Sequence, residues 1–253
     1  MKITFLGTGT SCGVPQIGCT CDVCQSKDPR DNRLRCSALI ETDNTTLLID
    51  CGPDFREQML RLGMNKPIDA CLITHEHYDH VGGIDDLRPF SYLKKTLLYA
   101  DSYTSKHLRE RLPYCLVTNV YPGIPQLELH ELNPHESVSV GELKVTALQV
   151  MHGQLPILGF RINDMAYITD MKTISDTELQ YLQGIKLLVV NGLRYKEHPT
   201  HQTIDDAILF SEKLGSPDTY IIHMSHEAGK HAETDARLPE HVHLTYDGMV
   251  VSL

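Results

Sequence analysis

The sequence predicts a fold of the α/β or α+β class, in which sheets are covered by helices. Short apolar runs typical of β-strands alternate with segments of helical spacing in both halves of the chain. Neither a low-complexity linker nor a short-period repeat divides the sequence. A chain of 253 residues is long enough to bury a full core. We therefore expect a single domain that spans residues 1–253.

The strand predictions rest on short runs rich in aliphatic and β-branched residues. These runs are Lys2–Leu6, Ser37–Thr42, Thr46–Asp50, Ala70–Thr74, Leu97–Ala100, Leu143–Val150, Leu158–Ile162, Ala166–Thr169, Lys186–Val190 and Asp218–His223. Near the end of the chain, Asp247-Gly248 separates the runs His243–Tyr246 and Met249–Leu253. That dipeptide is a strong turn signal and predicts a final β-hairpin.

Four segments have the spacing of apolar residues that is typical of helices: Pro53–Leu62, Ser102–Arg111, Ser175–Gln183 and Thr203–Leu214. Pro53 suits the first position of its helix, where its missing N–H is not needed. Ser175 is the expected N-cap of its helix, and Glu178 is its capping-box partner three residues later.

The composition is that of a globular protein, with 41% hydrophobic and 22% charged residues. The formal net charge of −10 and the lack of a basic run argue against a long nucleic acid as partner. A small phosphorylated substrate is compatible with this charge, because bound metal ions reverse it locally. The apolar start Met1–Gly7 is too short for a signal peptide, and no apolar stretch reaches the roughly 20 residues of a membrane span. We expect a cytoplasmic protein that does not contact a membrane.

The main chemical signal is the segment Thr74-His75-Glu76-His77-Tyr78-Asp79-His80, which follows an apolar run at 70–73. In an extended chain His75 and His77 share a face, so both reach one ion. If the chain then turns helical, Asp79 and His80 face a second ion nearby. Imidazole nitrogen combined with carboxylate oxygen suits zinc, manganese or iron. A polar surface loop is the weaker alternative, because the histidines directly follow a buried strand.

The spacing His-x-His-x-Asp-His after an apolar strand resembles the signature of the metallo-β-lactamase superfamily. The resemblance implies an α+β fold, namely a four-layer αββα sandwich, and an active-site cluster of two divalent ions, zinc or manganese. The remaining ligands of the family are expected at strand ends, and His152, Asp170 and His223 each follow a predicted strand. The implied ligands are His75, His77 and His152 for the first ion, Asp79, His80 and His223 for the second, and Asp170 as a bridge between them.

Asp50, within Leu48–Gly52, resembles the early Asp motif of the same family. In that role it would orient the cluster by hydrogen bonding to a ligand rather than by binding an ion. A cap of a helix or turn is the competing role for this side chain.

A second metal site is predicted by Cys19, Cys21 and Cys24, which form a Cys-x-Cys-x-x-Cys motif. Tetrahedral structural zinc needs four ligands, so one must come from elsewhere in the chain. His226 is the candidate, because it lies three residues after His223, and on a continuing strand the two would point to opposite sides. Reduced surface thiols are the alternative, and exposed free thiols are a liability. Four other cysteines lie in or beside apolar runs and are expected to be small buried hydrophobes: Cys36, Cys51, Cys71 and Cys115.

The Cys motif follows Gly7-Thr8-Gly9-Thr10, and together with the histidine motif it resembles one branch of the superfamily. That branch includes the phosphoribosyl cyclic phosphodiesterase of the carbon–phosphorus lyase pathway, and by this resemblance residues 12–36 carry the structural zinc insertion. Further matching segments are Gly13-Val14-Pro15, Arg35-Cys36-Ser37, His223-Met224-Ser225-His226 and Tyr246-Asp247-Gly248-Met249. The resemblance runs nearly end to end and is loose between about Leu93 and Leu143.

The resemblance implies a metal-dependent phosphodiesterase that cleaves a small phosphate ester, cyclic esters included, with a metal-bridged hydroxide. Two ions roughly 3.5–4 Å apart bridge one water and lower its pKa toward about 7. Asp79 is a ligand and a candidate proton acceptor. His201, before a predicted helix, resembles a phosphate-contacting His of the related phosphodiesterase and is the candidate partner of the leaving group. His198 is the alternative contact, and a helix-flanking surface role for His201 carries equal weight.

Other functions stay open at this point. One is a ribonuclease similar to the tRNA-maturing enzymes of the superfamily, although no basic RNA-docking arm is evident. Another is a metal-binding pathway protein similar to the member linked to pyrroloquinoline quinone biosynthesis, against which the complete ligand set argues. Hydrolysis of a thioester or lactone also remains open. The resemblance further implies a homodimer.

Overall fold

The structure is a computed structural model that describes residues 1–64, 66–116 and 123–253. Within these ranges the strands are β1 (Lys2–Gly7), β2 (Ser37–Glu41), β3 (Thr46–Ile49), β4 (Ala70–Leu72), β5 (Thr96–Ala100), β6 (Leu127–Glu131), β7 (Ser137–Val140), β8 (Leu143–His152), β9 (Leu155–Ile162), β10 (Met165–Ile168), β11 (Leu187–Asn191), β12 (Asp218–Ile222), β13 (Val242–Leu244) and β14 (Val250–Ser252). The α-helices are α1 (Phe55–Leu62), α2 (Tyr78–Val81), α3 (Arg88–Ser91), α4 (Ser102–Arg111), α5 (Pro113–Leu116), α6 (Asp176–Leu179), α7 (Ile204–Lys213) and α8 (His231–Asp235).

The strands form two seven-stranded mixed sheets with the orders β14-β1-β2-β3-β4-β5-β6 and β13-β12-β11-β10-β9-β8-β7. In the first sheet β3 to β6 are parallel to one another, and in the second β10 to β13 are parallel. Parallel strands bring their carboxyl ends to the same edge of a sheet, where polar loops collect. This topology, with helices beside both sheets, confirms the predicted α+β sandwich.

Three clusters of buried side chains fill the three interfaces between the four layers of the sandwich. The central cluster joins the facing sides of the two sheets and includes Phe5, Phe160 and Tyr167. A second cluster packs α7 onto the second sheet, and a third packs α1 onto the first through Phe55. Truncating a fully buried aromatic such as Phe160 typically costs about 3–5 kcal/mol of stability. The sheets are therefore a rigid base for the loops at their edges.

The predicted final hairpin is wrong. β13 runs parallel to β12 in the second sheet, whereas β14 pairs antiparallel with β1 in the first. The turn at Asp247-Gly248 therefore carries the chain from one sheet to the other. The Asp247 carboxylate fixes this turn, because it accepts hydrogen bonds from Thr8 N at 2.9 Å and Leu34 N at 2.7 Å. A turn signal describes the local backbone, and packing between distant segments decides which strand each run joins.

Two local helix predictions are also wrong. α1 begins at Phe55 with Asp54 at its N-cap, so Pro53 lies before the helix. Ser175 stands at the N-cap of α6 but makes no side-chain cap hydrogen bond. Glu178 instead accepts a hydrogen bond from Gln149 N at 3.1 Å, because a tertiary contact with β8 uses the carboxylate. Strands β6 and β7 were not predicted. Among the described residues, no helix is both long and apolar enough to cross a membrane.

Candidate metal centre

The candidate ligands lie where strands from both sheets end. The segment from Thr74 to His80 follows β4 of the first sheet, and Asp50 follows the neighbouring β3. In the second sheet His152 ends β8, Asp170 is the second residue after β10, and His223 is the first residue after β12. All three segments from the second sheet meet the histidine motif of the first sheet. The structure thus brings together the seven residues that the sequence placed in one cluster.

One part of this cluster is the three-histidine group, formed by His75, His77 and His152. His75 Nε2 lies 2.9 Å from His77 Nδ1, and the ring centroids of His77 and His152 are 5.2 Å apart. Burial lowers the pKa of His75 well below its usual value and lowers that of His77 as well. Both rings are therefore neutral at pH 7, which is the form of imidazole that binds a metal.

His152 and His80 are held by hydrogen bonds on the ring nitrogen that faces away from the cluster. His152 Nδ1 lies 2.9 Å from Asp170 O and 3.0 Å from Thr200 O, and carbonyl oxygens only accept. His80 Nδ1 lies 2.7 Å from Asp50 Oδ2, so it donates to that carboxylate. In the neutral form of each ring, which is the form that binds a metal, the proton on Nδ1 leaves Nε2 with a lone pair. This is the second-nitrogen hydrogen bond found on most metal-binding histidines.

The other part is the mixed group, formed by Asp79, His80, Asp170 and His223. His80 Nε2 lies 3.2 Å from Asp79 Oδ2 and 3.4 Å from Asp170 Oδ1, and His223 Nε2 lies 3.2 Å from the same Asp170 oxygen. His80 Nε2 and His223 Nε2 are buried, yet neither has an aligned hydrogen-bond partner among the described residues. Buried polar atoms normally find hydrogen-bond partners. Ring nitrogens and carboxylate oxygens that converge here without aligned hydrogen bonds therefore fit a cation between them.

The charges in the mixed group also favour a bound cation. Burial opposes a charge on His80, but the carboxylates of Asp79 and Asp170 outweigh it and raise the pKa of His80 well above its usual value. Burial would raise the pKa of Asp170, yet His223 and His80 hold it well below the ordinary range. Two buried carboxylates thus require positive charge beside them, and divalent ions supply it.

Three residues of the site have a left-handed backbone, which is uncommon for side chains other than glycine. They are Asp50, Asp170 and His223, with φ of 57°, 56° and 58°. Each is the first or second residue after its strand, and its side chain lies in or against the cluster. Strain of this kind persists only where the surroundings over-determine the conformation, and it is concentrated at functional sites.

Asp50 lies against the cluster and does not cap helix α1. Its carboxylate is fully buried and accepts hydrogen bonds from Thr74 N at 2.8 Å and Thr74 Oγ1 at 2.9 Å, besides the bond from His80. Thr74 was assigned no role from the sequence, although it opens the motif. Its Oγ1 also lies 3.0 Å from His75 Nδ1, so Thr74 links Asp50 to both parts of the cluster.

His201 lies beside the cluster and is buried, which excludes the surface role. Its Nδ1 is 3.8 Å from Asp170 Oδ2, and its ring centroid is 4.6 Å from that of His152 and 5.0 Å from that of His223. Burial lowers the pKa of His201 to about 3, so the ring is neutral at pH 7. His198 lies further out, with its ring 5.0 Å from that of His201. His201 is therefore the nearer of the two to the candidate ligands.

The Cys motif and His226 form a separate group. His226 Nδ1 lies 3.2 Å from Cys19 Sγ and 3.3 Å from Cys21 Sγ. Hydrogen bonds from the backbone at Cys24 and from the His226 ring lower the pKa of Cys21 to about 6. The reason given for His226 was wrong, because β12 ends at Ile222 and His226 opens a 3₁₀ turn instead of continuing the strand. Three sulfurs and one imidazole nitrogen are a donor set that suits tetrahedral zinc.

Comparison with known proteins identifies the family. A sequence model of the β-lactamase superfamily domain matches residues 45–224. The chain is 48% identical over 251 residues to the octanoyltransferase of Porphyromonas gingivalis, which covers 98% of this chain and 51% of that protein. It therefore spans about half the length of that relative. It is 42% identical over 205 residues to the anti-Pycsar protein Apyc1 of Paenibacillus harenae, covering 74% of this chain and 81% of the relative.

Among solved structures, a diphosphatase from the PhnP family superposes with a TM-score of 0.92 at 40% identity, covering 100% of this chain and 97% of that one. Zinc-bound PqqB from Methylobacterium extorquens gives a TM-score of 0.80 over the whole of both chains, but at 19% identity this likeness concerns the fold alone. The chain belongs to the metallo-β-lactamase superfamily, in its PhnP-like branch.

Proposed function

We propose that this protein is a metal-dependent hydrolase that cleaves a small phosphodiester, cyclic esters included. The observation that carries the proposal is the convergence of seven ligand-type side chains, with two buried ring nitrogens that lack hydrogen-bond partners among the described residues. The acidic surface, with a net charge of −10, favours a small substrate over a long nucleic acid. The free cysteines support a reducing compartment, and we place the protein in the cytoplasm.

The proposed centre holds two divalent ions, zinc or manganese. His75, His77 and His152 would hold one, Asp79, His80 and His223 the other, and Asp170 would contact both. When bound, such ions supply an activated water and neutralise charge on the oxygens of the reacting group. The chain contributes the orientation of the ligands, because Asp50 holds His80 and the carbonyls of Asp170 and Thr200 hold His152. Asp79 would also be a candidate proton acceptor.

We assign His201 to the substrate. The ring is neutral, and its Nδ1 is a buried atom without a hydrogen-bond partner among the described residues. A neutral imidazole binds a phosphate oxygen or the leaving oxygen by donating one N–H, whereas full proton transfer needs a cationic ring. An anionic substrate beside the ring favours its charged form, whereas divalent ions at the cluster oppose it, so we assign His201 to hydrogen bonding with the substrate.

The relatives support chemistry at phosphorus. The structure at 40% identity is described as a diphosphatase, and a ribonuclease Z of Thermosynechococcus vestitus is 31% identical over 65% of this chain. We also propose that Cys19, Cys21, Cys24 and His226 hold one structural zinc, which ties the loop at residues 12–36 to the end of β12. A homodimer is proposed on the branch resemblance alone.

The proposal is tested by turnover of bis(p-nitrophenyl) phosphate with added manganese or zinc. We expect wild-type activity to be lost in His77→Ala and Asp170→Ala, because each change removes a ligand atom from the cluster. His243→Ala is the matched control, since that half-exposed ring pairs with Asp218 and lies outside the candidate ligand groups. Wild-type turnover by either ligand variant would exclude the proposed metal roles.

Acyl hydrolysis is the second candidate, because a relative named an octanoyltransferase matches 98% of this chain, although over only 51% of that protein's own length. A substrate panel separates the candidates: cyclic phosphoribosyl esters, cyclic nucleotides, a diphosphate, RNA and an octanoyl thioester, with metal content measured on the same sample. We expect the highest kcat/KM on a small phosphodiester. A preference for the thioester would replace the first candidate with the second, and a preference for RNA would identify a ribonuclease.

A further inference from the structure

The side chain of Asn191 makes a pair of hydrogen bonds at the rear of the candidate metal centre. Asn191 ends strand β11 and is fully buried. Its Oδ1 accepts a hydrogen bond from Met171 N at 2.7 Å, and its Nδ2 donates one to Met171 O at 3.0 Å. Both bonds go to the same residue, so the amide holds the backbone of Met171 at two points. This fixes the position and the direction of that segment.

The residue held in this way directly follows Asp170. Asp170 has a left-handed backbone with φ of 56°, a conformation that is uncommon for residues with a side chain. Such a conformation needs support from its surroundings. Thr169 Oγ1 donates to Asp170 Oδ1 at 2.7 Å from the preceding side, and Asn191 holds the following side. The orientation of the Asp170 carboxylate is therefore set from both directions.

Asn191 is also connected to the substrate-facing loop. Met171 O accepts a second hydrogen bond from Gln202 N at 2.9 Å, and Gln202 directly follows His201. Leu193 N donates to Gln202 O at 3.1 Å, so the chain just after Asn191 holds the same loop from its other side. Gly192, which lies between Asn191 and Leu193, donates a hydrogen bond from its N to Ile222 O at 3.0 Å. Ile222 is the residue immediately before His223. One short segment thus contacts the backbone beside three of the site residues.

We propose that Asn191 is a positioning residue that orients Asp170 for ion binding by holding the backbone of Met171. This inference rests on the proposed function, since it assumes that Asp170 is a ligand. Leucine, which has a similar volume, cannot make either hydrogen bond, and alanine removes both without adding bulk. With the clamp lost, the strained turn relaxes and the carboxylate points toward the cluster for only part of the time.

The test measures metal binding rather than turnover. Asn191→Leu and Asn191→Ala are compared with the wild-type protein by titrating zinc against a chromophoric chelator. We expect the dissociation constant of the cluster to rise at least tenfold, while one zinc remains at the Cys group. Thr219→Val is the matched control, because Thr219 is buried in the adjacent strand β12 at its opposite end and bonds to Ser211 and Pro217 O. We expect its zinc affinity to stay within about twofold of wild type, even where urea unfolding shows equal destabilisation.

A double-mutant cycle separates positioning from general loosening of the fold. If Asn191 acts through Asp170, Asn191→Ala lowers the zinc affinity of an Asp170→Asn protein no further. Wild-type affinity in the Asn191 variants, or an equal loss in the Asp170→Asn background, overturns the inference and leaves the proposed function standing. A wild-type protein that binds no ion beyond the Cys group overturns the proposed function, and this inference with it.

Discussion

The hydrogen bond between Asp50 and His80 offers a sharp test of how the metal centre is organised. In Asp50→Asn the amide keeps the shape of the carboxylate, and its oxygen still accepts from Thr74 N. In the wild type, His80 Nδ1 donates to Asp50 Oδ2 across a 2.7 Å contact. In the variant, the amide NH₂ group takes the place of that oxygen and faces His80 Nδ1. Two donors cannot share this contact, so the ring proton moves to Nε2. That nitrogen faces Asp79 and Asp170, and it loses the lone pair that would bind the ion.

The expected magnitude follows from this tautomer change. Loss of a hydrogen-bond partner behind a metal-binding His typically weakens metal affinity by about 10–100-fold. This range corresponds to about 1.4–2.8 kcal/mol of binding free energy, since each tenfold change is about 1.4 kcal/mol. Asp50→Ala is expected to lower folding stability as well as zinc affinity, because it leaves Thr74 N and His80 Nδ1 buried without an acceptor. Each such loss costs about 1–3 kcal/mol of folding stability.

The assay is a chelator competition for zinc, combined with urea unfolding of the metal-free protein. Asp218→Asn is the matched control, because Asp218 Oδ1 lies 3.0 Å from His243 Nε2 in an Asp–His pair outside the cluster. We expect the control to change zinc affinity by less than twofold. If Asp50→Asn binds zinc at the cluster as tightly as the wild type, the orientation of His80 by Asp50 is not what organises this centre.

Three further predictions concern the Cys group and the packing of the motif. Cys21→Ser is expected to remove one zinc per chain and lower Tm by several degrees, because structural zinc contributes folding free energy, whereas Cys12→Ser, outside the group, should change neither. In metal-free protein, iodoacetamide should label Cys21 before Cys24, with a rate that rises as pH passes through about 6, because the thiolate is the nucleophile and the pKa of Cys24 is raised to about 11 by burial. Gly52→Ala should cost about 3 kcal/mol in urea unfolding, because its Cβ would lie 2.0 Å from Asp79 O. Gly63→Ala meets no described residue within 4 Å and carries only the cost of its φ of 64°, about 1–2 kcal/mol.

Each of these three predictions has a contradicting result. Full zinc content in Cys21→Ser, measured by atomic emission, would exclude that thiol as a ligand. Peptide mapping by mass spectrometry that finds Cys24 alkylated first would contradict the thiolate assignment. Gly52→Ala that unfolds at the same urea concentration as Gly63→Ala would show that the turn at Asp79 adjusts freely.

The histidine motif was predictable from the sequence because its signal is local, with all its ligand-type residues within six positions. His152, Asp170 and His223 each follow a predicted strand, but the resemblance to the family singled them out as ligands. The spacing of apolar residues predicted sheets covered by helices, of the α/β or α+β class, whereas the four-layer α+β sandwich was implied by the resemblance to the family. The Cys motif also shows its three thiols in one short segment.

The partners of these segments were decided only by tertiary structure. Asp247-Gly248 has the composition of a hairpin turn, yet β13 and β14 join different sheets because each is held by its own neighbour, β12 or β1. His226 reaches the Cys group because the chain leaves the strand at His223, not because a strand continues. Thr74 opens the histidine motif without a ligand role and Asn191 lies outside any motif, and their contacts join residues 24 and 20 positions apart. Such contacts depend on how separate elements pack, and packing is a property of the whole fold that no local pattern encodes.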